Sequence, residues 1–220
     1  MTSPVRPTAE PVLSTGRRAV LYAVRRRGEA SAEQVAEQLG VSASGARQHL
    51  SALVDDGLLE ATEVVRDVAK RGRRALVYSV TAAADQLFPK AYGELANELL
   101  GYVAAADRDL LDQLFAQRRE HRIEGARMRL ARKRGLSGKV AELTRILDED
   151  GYLASFEKVG PGVYRIVEHN CAIWAVAERY GQACTSELDF IRTVLDGVDV
   201  ERVEHMVAGA RRCAYEVTAR

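Results

Sequence analysis

The stretch Ala36–Glu60, AEQLGVSASGARQHLSALVDDGLLE, constrains the fold more than any other part of the chain. Two short helical patterns meet there across a turn of only a few residues. Ser31 opens the first, with Gln34 three residues later, the pairing of a capping box. Val35, Ala36 and Leu39 make its apolar face. Gly40 supplies the backbone freedom the turn needs, Val41 fills the angle between the helices, and small Ala36 lets them approach. Ser42 caps the second helix, which ends at Gly57. An earlier helix from Thr15 to Gly28 carries Val20, Leu21 and Val24 on one face. The period then changes. Leu58–Val68 alternates like a strand, AKRGRRA makes a basic turn, and LVYSV reads as the returning strand. Three helices followed by a basic-tipped hairpin predict a winged helix-turn-helix.

That geometry predicts a nucleic-acid contact. The second helix of the pair enters the major groove, leaving Ser42, Ser44, Arg47, Gln48, His49 and Ser51 as candidate contacts. Arg47 suits guanine and Gln48 adenine, because each can bond a base edge bidentately. Ser42, Ser44 and His49 suit phosphate or water-mediated contacts. Lys70, Arg71, Arg73 and Arg74 at the hairpin tip suit phosphate or the minor groove.

The rest of the chain carries no comparable local motif. The 220 residues have a net charge of +1, which argues against indiscriminate coating of nucleic acid. The charge is uneven: 108–145 is basic and 146–220 acidic. Residues 1–13, rich in proline, read as a disordered arm. Residues 82–104 form an apolar helix interrupted near Pro89, with Leu87, Phe88, Tyr92, Leu95, Leu99, Leu100 and Val103 at helical spacing. Such a helix suits a dimer contact. Residues 107–134 read as a basic helix, with Arg127, Arg129, Arg132, Lys133 and Arg134 either along phosphates or in solvent. A joint at Gly135–Gly138, a helix from Lys139 to Asp150, a hairpin over YLASFEKV-GPG-VYRIVEH, helices around Cys171–Tyr180 and Ser186–Leu195, and a final strand ARRCAYEVT complete the chain. No apolar run approaches the ~20 residues of a membrane span, and the N-terminus shows no apolar signal core. A cytoplasmic setting without a membrane partner follows. No phosphate loop, HExxH or nucleophile elbow is present, so no enzyme chemistry is expected.

All three cysteines, Cys171, Cys184 and Cys213, fall in the last 50 residues. Their spacing is neither a CxxC knuckle nor a ferredoxin run. As ligands they must be gathered by tertiary folding; otherwise they are small buried apolar residues.

Two stretches resemble known families. Residues 14–81 are similar to winged-helix bacterial repressors of the ArsR/DeoR-like superfamily. The C-terminal stretch IVEHNCAIWAVAERYGQACTSELDFIRTVLDGVDVERVEHMVAGARRCAYEV resembles the sensor of SufR-type iron–sulfur repressors, which control iron–sulfur assembly genes. The match lies in ExNCxI, a cysteine after 12 residues, CxxEL, and VERxxH…G…RCxYxV. The resemblance implies an iron–sulfur cluster, [4Fe-4S], on Cys171, Cys184 and Cys213. A further family cysteine falls at Val198 here, so the fourth ligand stays open among His205, His169, Asp199 and Glu187, water or a small thiol. Zinc is the rival metal, since three thiolates and one histidine form an ordinary zinc set; a small organic ligand is the other alternative.

The expected fold is mainly α with small β elements, an α+β chain. Its parts are an arm (1–13), a winged helix-turn-helix domain (14–81), a helical dimerisation and connecting segment (82–138) and a cysteine-containing sensor domain (139–220). The expected partners are a double-stranded DNA operator with an inverted repeat and a second copy of the chain. The expected role is a repressor sensing cluster or redox status.

Overall fold

The computed structural model describes residues 13–64 and 75–220. The chain divides into two compact units, Met1–Lys90 and Ala91–Arg220.

In the first unit, Ser14 caps helix α1 (Thr15–Arg27), which stops at Gly28 with φ 77°. A short strand β1 (Glu29–Ser31) leads into α2 (Ala32–Leu39). The capping box forms as the sequence predicts: the Ser31 amide donates to Gln34 Oε1 at 2.8 Å, and the Gln34 amide donates to Ser31 Oγ at 3.4 Å. Gly40 turns the chain with φ 65°, and Ser42 caps α3 (Ala43–Asp55). Strands β2 (Leu59–Val64) and β3 (Ala75–Val80) pair antiparallel, and β1 adds to the free side of β3, giving the order β1-β3-β2. Val20, Leu21 and Val24 of α1, Val35 of α2, Leu50 and Leu53 of α3, and Leu58, Leu59 and Tyr78 fill one core. Leu13, assigned by sequence to the arm, also packs in this core.

The apolar stretch 82–104 is not one interrupted helix. Residues Ala82–Leu87 form a 3-10 turn, with Ala84 buried and Leu87 and Phe88 against the first core. The Phe88 ring meets Tyr22 at 5.3 Å and lies under the Arg25 guanidinium. A new helix, α4 (Tyr92–Ala106), starts the second unit. The expected connecting segment, 82–138, is thus shared between the two units.

In the second unit, Asp107 caps α5 (Arg108–Leu130). Gly135–Gly138, expected to be a joint, is the first turn of α6 (Gly135–Leu147). A wide turn at Asp148–Tyr152 leads into β4 (Ala154–Gly160) and β5 (Val163–Glu168). Then come the single turn α7 (Trp174–Ala177), α8 (Gly181–Val194), β6 (Val198–Glu204) and β7 (Cys213–Ala219). The sheet is antiparallel throughout, in the order β4-β5-β7-β6. Its inner face packs with α5, α6 and α8 through Ile123, Leu143, Leu147, Ile166, Phe190, Ile191 and Val217. A smaller apolar cluster, centred on Leu111, Phe115, Ala177 and Ala183, gathers α4, α5, α7 and α8. The fold is therefore mainly helical α+β. No helix among the described residues is long and apolar enough to cross a membrane.

Candidate functional site

Two regions carry chemistry, one in each unit. On α3, Ser42, Ser44, Arg47, Gln48 and Ser51 are exposed along one side, the side a groove-binding helix must present. Two of the expected contacts have work inside the unit. The Ser42 hydroxyl accepts the Gly45 amide at 3.1 Å. His49 is half-buried, and its ring lies so close to Gly16 that a β-carbon there would come within 3.0 Å of Nε2. His49 therefore faces α1 and not the solvent face. Arg47 pairs with Glu33 of α2. Glu33 is held below the usual carboxylate range, first by its own backbone amide in the opening turn of α2 and then by this guanidinium. Sequence reasoning missed Glu33, although an acid in the first turn of a helix is a common signal. The wing residues Lys70, Arg71, Arg73 and Arg74 lie outside the described residues; β2 and β3, on either side of them in sequence, pair as expected.

In the second unit the three thiols, so far apart in sequence, line a single cavity. Cys171 follows β5 and opens the turn into α7, where the Trp174 amide bonds its carbonyl at 3.2 Å. Cys184 was expected between two helices; it stands instead in the first turn of α8. Cys213 begins β7. Antiparallel partners point to the same side of a sheet. The pairing Glu168↔Cys213, and then Arg202↔Tyr215 two residues along, puts all four on the face that meets α8. Ala177, Ala183 and Ile173 supply the apolar part of the wall. The cavity lies at the seam between the two apolar clusters, with Cys213 in the larger and Cys171 and Cys184 against the smaller.

The electrostatics follow from that position. Burial pushes all three thiols up, Cys213 to about 11. Three groups moderate the rise: the Ile173 amide at Cys171, the Arg202 guanidinium at Cys184 and the Met206 amide at Cys213. The Met206 amide donates to Cys213 Sγ at 3.4 Å. Glu168, only 2% exposed, is pushed up to about 8 by burial and by Glu187 beside it. Tyr215 donates to Glu168 Oε2 at 3.3 Å, while Glu168 Oε1 has no partner. His205 is pulled below its ordinary value by burial and then by Arg202, and its buried Nε2 has no partner either. Behind the cavity, Arg122 of α5 lies over Phe190, donates to Glu187 Oε2 at 2.6 Å and reaches Asp150.

The candidate fourth ligands are thereby separated. His205 and Glu187 line the cavity. His169 is exposed and bonded to Ser155 at 3.0 Å. Asp199 is paired with Arg220 and lies at a different surface. Val198 pairs with Ala219 at the far end of β7, about 20 Å along the strand from Cys213 at the usual strand rise. Trp174 is exposed and does not line the cavity. Among the described residues no three His, Cys, Asp or Glu side chains are placed to hold one metal ion. The donors on this lining, three thiols and one imidazole, are of the kinds that hold an iron–sulfur group or zinc.

Residues 16–62 match the family model described as a helix-turn-helix domain. No curated protein matches the chain. Among solved structures, similarity extends to NMB1585, a MarR family regulator from Neisseria meningitidis. Identity is 24% over 48% of this chain and 70% of that one, with a TM-score of 0.28. It extends also to Bordetella bronchiseptica BpsR, at 18% identity over 50% of this chain and 82% of that one, TM-score 0.30. A zinc-responsive MarR family member, Lactococcus lactis ZitR, gives 14% identity over 55% and 84%, TM-score 0.30. Such loose overlaps carry no argument, and the assignment rests on the matched domain and the geometry above. Residues 16–62 are thus similar to the helix-turn-helix domain family and lie in a winged-helix unit, the arrangement that presents α3 to a DNA groove.

Proposed function

We propose that the chain is a dimeric repressor that senses iron–sulfur or redox status through a [4Fe-4S] cluster on Cys171, Cys184 and Cys213. The observation that carries this reading is the convergence of three thiols from separate segments on one cavity, Cys213 buried and Cys171 and Cys184 half-buried. When bound, such a cluster supplies one-electron and oxidant-sensitive chemistry. The chain's own part is to shield the thiols in part from water, and to set Arg202 as positive charge beside them, its Nη1 donating to the Cys184 carbonyl at 3.0 Å.

The cysteine segment is also fastened to a helix suited to assembly. Asn97 of α4 donates to the Ala175 carbonyl at 2.6 Å, and the Tyr180 hydroxyl donates to the Asn97 carbonyl at 3.3 Å. The opposite side of α4 shows Tyr92, Leu95, Leu99 and Tyr102 to solvent, one stripe at helical spacing. A second copy covering that stripe would place two winged helices for an inverted-repeat operator. A shift of the 171–184 segment would then bias the spacing of the two reading heads, a coupling between sites of the usual kind.

The rival reading, zinc or a small organic ligand at the same cavity, has one observation in its favour: an unpartnered imidazole, His205, lines the cavity with the three thiols, the donor types of an ordinary zinc set. Anaerobic purification followed by iron, sulfide and zinc analysis separates the two. Iron and sulfide with visible absorption are expected. Stoichiometric zinc alone, with normal operator binding in all three single Cys→Ser variants, would falsify the cluster reading.

A further inference from the structure

We propose that His205 Nε2 is the fourth protein ligand of the cluster, an inference that rests on the cluster reading above. Three separate features point to it.

The first is position. Strand β6 ends at Glu204, opposite Ala214. One further step along the ladder sets His205 beside Cys213. The Met206 amide bonds the Cys213 sulfur, while the amides of Ala208 and Ala210 both bond the His205 carbonyl at 3.1 Å. One short loop thus fixes a thiol and an imidazole against each other. The second feature is the ring nitrogen itself. Nε2 is buried and has no hydrogen-bond partner, and its residue lines the same cavity as the three thiols. A buried ring nitrogen without a partner costs free energy, and coordination would remove that cost.

The third feature is the state of the competitors. Both oxygens of Glu187 are taken by Arg122, and one also by Tyr152 at 3.1 Å. Glu168 offers a free Oε1, but its other oxygen is held by Tyr215. A carboxylate ligand would also add a fourth negative charge to three thiolates beside Glu187, with Arg202 the cation in the lining. Buried like charges raise one another's cost steeply. A neutral imidazole completes the set without that charge, and imidazole is a known alternative to thiolate on cluster iron. The ligands then come from two places: Cys171 and Cys184 from the segment between β5 and α8, and His205 and Cys213 from the β6–β7 loop.

The test uses the full chain, labelled with ¹⁵N-histidine, reconstituted anaerobically with ferrous iron and sulfide, and then chemically reduced. Pulsed electron–nuclear double resonance reads nitrogen bound to the paramagnetic cluster. The chain has four histidines, so variants assign the signal. A strong nitrogen coupling is expected in the wild type and in Glu168→Gln, and none in His205→Gln. His205→Cys should hold its iron and sulfide, show no nitrogen coupling and bleach more slowly in air. A wild type that carries iron and sulfide but shows no such coupling overturns the assignment, as does a coupling that survives in His205→Gln. A wild type that takes up neither iron nor sulfide overturns the cluster reading itself, and the ligand with it.

Discussion

Single side chains here are often held by partners that sequence spacing does not announce. Glu142 of α6 is buried, yet its carboxylate meets Arg129 at 2.8 Å, Lys133 at 3.1 Å and Arg145 at 2.6 Å. Burial alone would raise it, but these three cations hold it down at about 2. Two of the basic residues that sequence offers for phosphate contact, Arg129 and Lys133, are therefore spent on joining α5 to α6. A carboxyl whose folded value lies below its unfolded one stabilises the protein above the unfolded value, and loses that contribution as pH falls toward the folded one. The window here runs from about 4.5 down to about 2. The difference corresponds to about 3 kcal/mol at most, and the solvent-facing cations bring it to roughly 1–2 kcal/mol. Glu142→Gln should therefore lower urea stability at pH 7 by that amount, and the deficit should shrink toward pH 2–3; an equal deficit at both pH values would refute the ion-pair account. At the DNA face, Arg47 must leave Glu33 to reach a base. Arg47→Ala should cost roughly 1–3 kcal/mol on the cognate site and relax one base preference. Unchanged operator binding by titration would place the base contact elsewhere on α3.

Whole elements were legible where their signals are local. Helices α2 and α3 declare themselves through Ser31, Gln34, Gly40 and Ser42, all within hydrogen-bond reach in sequence. Strand β6, VDVERVE, has no counterpart among the expected elements, because it is an edge strand whose Asp199 and Glu201 face water and whose one fully buried side chain is Val200. Leu87 and Phe88 misled for the opposite reason: they keep helical spacing with α4 but serve another core. The two sides of α4 give two tests. Leu95 and Leu99 are more than half exposed. If a second copy covers them, Leu95→Glu with Leu99→Glu buries unpaired charge at the seam, and sedimentation should show a monomer. A monomeric wild type would remove the dimer from this face. On the other side, a β-carbon at Gly93 would lie 2.7 Å from Ala175 Cβ. Alanine is the better helix former by ~1 kcal/mol, yet Gly93→Ala should lower stability, because Ala175 Cβ, fixed to the α7 backbone, lies too close to the added β-carbon. A stabilised Gly93→Ala protein would show that α4 and α7 are less tightly joined than this.

At the scale of the molecule, each unit has its own apolar core, and this decides how damage should spread. The winged helix was readable because its function lies on the surface of a locally encoded motif. The thiol cavity was not, because intervals of 12 and 28 residues say nothing about which strand faces which helix; only the pairing of β5, β7 and β6 brings Glu168, Cys213 and Arg202 to one face. The same register decides the fate of Val198, where the resembling family has a cysteine. Val198 stands at the opposite end of the β6–β7 ladder from Glu204, the residue beside the cavity. A thiol placed there is about 20 Å from the other three, while cluster ligands sit within a few ångströms of their iron. Cys213→Ser should therefore lose iron and sulfide while hydrogen exchange in α1–α3 stays at wild-type rates, since no side chain of that core comes from the second unit. Adding Val198→Cys to Cys213→Ser should restore nothing. Recovery of iron and sulfide in that double variant would mean that β6 pairs with β7 in a different register, and the cavity described here would have to be redrawn.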